Sequence, residues 1–179
     1  MTPNAIVHLF KWIAKYSQFV TPPGGTTKEH ASTGEVPTSL AATHWEGYPH
    51  IFVEWDMATE VTMSDAGRPA FVTYRVGWWV LDGPIKPTEY TKDERQVPAL
   101  LDKTLLIATE IMARLNQAAT GKQPDGTACP IPPGWAAAEF TVEPNHLLVP
   151  VVNSKSDYVT GWRVETRFRF GLDTAVCRA

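Results

Sequence analysis

The sequence predicts an α+β domain in two layers, a single mostly antiparallel sheet packed against two main helices. Three observations lead there. Near the C-terminus, Trp162, Val164, Thr166, Phe168 and Phe170 alternate with Arg163, Glu165, Arg167 and Arg169, the period of two that gives a strand one core face and one charged face. Two other stretches, from Pro3 to about Phe19 and from Pro98 to Ala119, place apolar residues at helical spacing. The order of elements, a helix, two or three strands, a second helix and two or three more strands, lets one sheet carry both helices.

Composition sets the bounds. Residues 1–179 make one ordinary domain, long enough to bury roughly 70% of the surface the unfolded chain exposes. A hydrophobic share of 44% against 20% charged is globular, and 15 prolines with 12 glycines mark many turns rather than a low-complexity chain. A net charge of −3 and a pI near 5.9 argue against a protein whose main task is to grip phosphates, although an acidic chain can still line a channel through which nucleic acid passes. Cys129 and Cys177 are too few for a disulfide framework and fit free or buried thiols. No apolar run approaches the ~18 residues of a membrane span, and the N-terminus lacks a basic leader, so neither an anchor nor a secretory signal is expected.

Taken in order, Thr2 can cap a helix with Pro3 at its first position, where a missing N–H costs nothing. Ile6, Leu9, Phe10 and Ile13 form its core stripe; Trp12 and Tyr16 lie off it, either widening the core face or meeting another subunit. Residues 21–48, rich in Thr, Ser, Pro, Gly and Ala, show no period and predict a long loop excursion, a surface loop or an interaction arm. A strand is expected from Ile51 to Met57 or as far as Met63, then a turn at Ser64-Asp65-Ala66-Gly67, then a long strand from Phe71 to Leu81. Val72, Tyr74, Val76, Trp78 and Val80 share one side of that strand. Its end turns apolar on both sides at Trp78-Trp79, as if covered twice. The helix from Pro98 stops near Gly121, and the proline-rich segment 121–134 is loop. Ala138–Val142 and His146–Val152 are expected strands, and a turn at 153–157 leads into the last one, Asp157–Phe170.

The search for chemistry excludes more than it finds. His44-Trp45-Glu46 has the H-x-E form of zinc deaminases, but the P-C-x-x-C partner is missing. His44, His50 and Asp56 could sit near one another across the first strand, but two histidines six apart are more often ordinary surface or satisfied residues than metal ligands. Glu54 and Asp56 on one strand imitate a carboxylate pair, though such pairs usually flank a substrate from separate elements. Neither a G-x-S-x-G elbow, a phosphate-cradling glycine loop nor a Cys/His nucleophile arrangement is present, and no enzyme is expected. Arg163, Arg167 and Arg169 form the one basic cluster, with Glu165 among them; either solvent or acidic groups of a neighbouring strand or subunit would face them.

The element order, together with Asp157, Gly161-Trp162, the alternating strand and Cys177 near the end, resembles the tail terminator and tail completion proteins of tailed bacteriophages. The resemblance implies a structural virion protein without catalytic residues, cofactor or metal, assembled in the host cytoplasm. Its copies would form a ring, usually of six, on the head-proximal end of the tail, joining the tail tube protein to head connector or portal-side proteins while genomic DNA passes through the lumen without specific binding. Trp78, Trp79, Arg163, Glu165, Arg167 and Arg169 are the expected subunit-contact residues. The alternative from another class is a small-ligand or carbohydrate binding module with an aromatic pocket around Trp78 and Trp79; a third is a hydrolase using Glu54 and Asp56.

Overall fold

A computed structural model describes residues 3–17, 20, 31–33, 49–54, 56–65, 67, 69–82, 96–128, 140–154 and 159–171. It is the expected α+β arrangement, with helices α1 (Pro3–Tyr16) and α2 (Gln96–Thr120) packed on one sheet. Its seven strands are β1 (Ala31–Thr33), β2 (His50–Val53), β3 (Ala58–Met63), β4 (Pro69–Asp82), β5 (Phe140–Val142), β6 (Leu147–Ser154) and β7 (Val159–Gly171).

The two long strands form the spine. β4 and β7 pair antiparallel without a register break from Phe71 opposite Gly171 to Asp82 opposite Thr160. Each then carries two short strands along its other edge: β2 and β3 lie end to end on β4, β5 and β6 end to end on β7. Both outer rails break at one level, opposite Val76 and Thr166. There residues 54–57 separate β2 from β3 and residues 143–146 separate β5 from β6. The expected single strand from Ile51 toward Met63 is therefore two, because four residues span a gap that two residues of β4 occupy. β1 pairs parallel with β2, so residues 31–33 of the expected 21–48 loop are strand. Three residues are too few to show a period.

Period two sorts the side chains of this spine. Tyr74, Val76, Trp78 and Val80 of β4 and Val164, Thr166, Phe168 and Phe170 of β7 are buried toward the helices, with Ile51 and Val53 of β2 beside them. Phe10 of α1 seats between the two strands, its ring 5.4 Å from Trp78 and 6.2 Å from Phe168. The Trp78 indole N–H carried into this core has a partner, donating to Thr166 Oγ1 at 2.9 Å.

Both helices follow from local signals. α1 buries Ile6, Val7, Leu9, Phe10, Ile13 and Ala14; Trp12 packs partly on the core and against Tyr16, which is exposed. α2 begins two residues before Pro98, since N–H groups of a first turn have no intrahelical acceptor and a proline there breaks nothing. Gly121, at φ 69°, ends it in the left-handed conformation. Three polar contacts fix α2 in place: Trp162 Nε1 donates to Leu101 O at 2.9 Å, Lys103 pairs with the buried Asp82 at 2.6 Å, and Ser17 donates to Glu110 at 2.5 Å. Just past it, 121–128 of the expected loop fold back through a bridge between Lys122 and Ala128, closed by the Asp125-Gly126 turn. Thr2, Phe19, Cys129, Asp157 and Cys177 lie outside the described residues, as do His44, Trp45 and Glu46.

Candidate functional site: the open face of the sheet

Alternation along β4 and β7 sends a second set of side chains to the face on which, among the described residues, no helix packs. Near the top of that face Phe52, Leu81 and Val159 are buried in a small cluster, with Trp79 and Val151 packed on it. At the Trp78-Trp79 end Trp78 is fully buried toward the helices and Trp79 only partly buried on the other face, where Leu81 nearby is fully buried.

Below this cluster sits an ion pair. Arg163 of β7 donates from Nε to Glu54 Oε1 at 2.7 Å and from Nη2 to Oε2 at 2.8 Å, the two-pronged geometry that a guanidinium gives a carboxylate. Trp79 Nε1 donates to the same carboxylate at 2.6 Å, and the Arg163 guanidinium lies 5.9 Å from the Trp79 ring. Gly77 makes room for the group. A Cβ there would stand 1.9 Å from Glu54 Oε2 and 2.8 Å from Arg163 Nη2, so the pair lies flat over bare backbone. Glu54 is aimed by the backbone as well, its N–H donating to Gly77 O at 2.9 Å. Burial alone would raise the Glu54 pKa, but the hydrogen bonds from Arg163 and Trp79 and the Arg163 charge outweigh it, leaving the carboxyl below its usual range. Arg163 is pushed up, chiefly by its hydrogen bonds to Glu54.

Toward the lower end the face becomes an open ladder. Arg75 pairs with Glu60, Arg167 with Glu143 at 3.6 Å, and the Arg169 guanidinium lies 3.8 Å from the centre of the Phe71 ring. Arg169 is exposed here, and Arg167 and Glu143 are half-buried. On the same face Leu147 and Val149 of β6, opposite Glu165 and Arg163, face solvent, 60% and 43% exposed.

The expected contact residues therefore divide. Arg163, Glu165, Arg167 and Arg169 share this face with Trp79, while Trp78 points the other way into the core and offers no surface. The two tryptophans do not line one pocket. Arg163 and Arg167 already have carboxylate partners within the chain. Of the imitated carboxylate pair, Glu54 is locked to Arg163 and Asp56 lies exposed in the break after β2. Among the described residues no group of His, Cys, Asp and Glu could hold a metal, and no helix is long and apolar enough to cross a membrane.

One polar site escaped the sequence. In the break between β5 and β6, His146 Nδ1 lies 3.1 Å from Thr166 Oγ1, the hydroxyl that accepts from Trp78, and its Nε2 is buried without a partner among the described residues. Burial lowers its pKa. A lone histidine between strands gives no signal of such a site; only the pairing opposite Thr166 reveals it.

Comparison with known protein families finds none that matches this sequence, and comparison with curated proteins finds no significant match.

Proposed function

We propose that the protein is a structural virion subunit of a tailed phage, one copy of a ring at the head-proximal end of the tail that joins the tail tube to the head connector. The observation that carries this is the second face of the sheet, on which no helix packs among the described residues, presenting Arg167, Arg169 and Glu143 on the same face as exposed Leu147 and Val149. Arginine is enriched in surfaces that bury against other chains, and the centres of such surfaces are more apolar than the surface at large. Each copy in a ring uses two different surfaces, and acidic groups of one copy would meet the arginines of the next. The role needs no catalytic group, cofactor or metal, and DNA would pass the ring without being read.

The test is electron microscopy of tail tubes incubated with the purified protein. A ring of subunits seated on one end of each tube is the expected result; tubes left bare, with the protein remaining free at saturating concentration, would rule the role out.

A further inference from the structure

Of the two outer rails of the sheet, one is guarded against strand addition and the other is not. Phase along the strands shows which. Glu143 N–H donates to Arg167 O at 3.0 Å, so odd-numbered residues of β7 turn their peptide groups toward β5 and β6, and Trp162 turns its own toward β4. Pro150 stands opposite Trp162, and the side on which it lacks an N–H is therefore the free edge of β6. A proline in the middle of an edge blunts it.

β3 has no such guard. Gly77 O accepts from Glu54 N–H, so odd-numbered residues of β4 face this rail; Ala58, Glu60 and Thr62, opposite Arg75, Thr73 and Phe71, spend their peptide groups on β4. Those of Thr59 and Val61 turn outward, and no strand among the described residues pairs with them. All six residues of β3 are exposed, none is proline, and its single charge, Glu60, is engaged by Arg75.

We propose that β3 docks a second copy of this chain, pairing antiparallel with its own counterpart about a twofold axis at Val61. The strand is self-complementary in that register. Val61 and Met63, 56% and 53% exposed, lie on one side of the strand, and across the axis Val61 meets Val61 while Met63 meets Thr59. Glu60 then stands opposite Thr62. Sliding the pair by two residues can set Glu60 against Glu60, and sliding by one turns the apolar side chains to the wrong face, so charge and period select the register. The contact is isologous and cannot close a ring, which joins two different surfaces; it is a separate interface and does not rest on the tail-end role. Six-residue strands bury less than the ~1,600 Å² of a standard interface, so the pair forms at about 10 μM and above and separates on dilution.

Sedimentation velocity over roughly 1–500 μM tests it. The wild-type mass should climb from 19.8 kDa toward twice that value. Val61→Pro should stay monomeric throughout with its melting temperature kept, because the N–H it removes is unused within its own sheet. Should that variant fail to fold, Val61→Lys retains the N–H, sets two like charges on the axis and should be monomeric in the same way. In a chain with Cys129 and Cys177 replaced by Ser, Val61→Cys should oxidise to a covalent dimer, since hydrogen-bonded antiparallel neighbours stand ~5.5 Å apart at Cα. A wild-type mass fixed at 19.8 kDa over the whole range overturns the proposal. So does a folded Pro or Lys variant that associates like the wild type, or association that Val61→Cys never cross-links.

Discussion

The two faces of the β4–β7 pair are made by the same two strands and differ in nearly everything else. On the helix side Val76, Trp78, Val164 and Phe168 are wholly buried and interchangeable in kind, held by shape. On the open side each arginine of these strands has a named partner: Arg163 with Glu54, Arg75 with Glu60, Arg167 with Glu143, Arg169 with Phe71. One face supplies stability through area removed from water, and the other keeps charge in place on a surface that stays accessible. Substitutions should separate the two.

The largest contrast is between adjacent residues. Phe168→Ala empties a core position against Phe10 and Phe140 and should cost about 3–5 kcal/mol, while Arg169→Ala next to it should cost under ~1 kcal/mol. Thermal or urea unfolding measures both, and similar costs would mean the faces are misassigned. Two glycines sharpen the point. At Gly161 a Cβ would lie 1.9 Å from the Val80 carbonyl oxygen, which is backbone and cannot step aside, so Gly161→Ala should cost about 2–4 kcal/mol. Gly77→Ala meets only the movable ends of Glu54 and Arg163. It should cost about 1–2 kcal/mol by undoing the Arg163 clasp, and little more when added to Glu54→Gln, a non-additivity that a double-mutant cycle reads directly.

The smallest effects are in pH. Glu54 has a folded pKa below its unfolded one, so its contribution is complete above the ordinary carboxylate range and is lost as pH falls through the lowered folded value. Glu54→Gln should flatten that acid limb. His146, buried and shifted down, likewise takes up its proton more readily when unfolded; the stability it supports is complete above about 6.5 and falls as pH drops below it. Melting temperatures of His146→Asn and wild type should therefore converge from pH 7 toward pH 5. A wild-type curve flat over that range would contradict the buried neutral imidazole.

Much of the fold was legible because the signals are local. The alternation in 162–170 and in 71–81 gave both spine strands and their faces, and helical spacing gave α1 and α2 within a few residues. What escaped depends on pairing. No pattern within 51–63 shows that the ladder to β4 breaks between β2 and β3, because the break is defined by residues of another strand. The role of Gly77 was invisible for the same reason: it serves a carboxylate 23 positions earlier and a guanidinium 86 positions later. The arginine cluster was visible as a charged face, but its partners Glu54 and Glu143 come from the opposite rails of the sheet and were not foreseen. The tryptophan pair misled as a single patch since neighbours in a strand point apart.

The claim that matters most is that the open face is an assembly surface, and Arg167→Glu with Arg169→Glu tests it most directly. Arg169 is exposed, Arg167 is half-buried and neither supports the core, so the double variant should keep the wild-type melting temperature. Its binding to tail-tube ends, measured by co-sedimentation, should fall at least ~10-fold, with the wild-type interaction itself weakening as salt is raised. A folded double variant that binds tube ends as tightly as wild type would contradict the account.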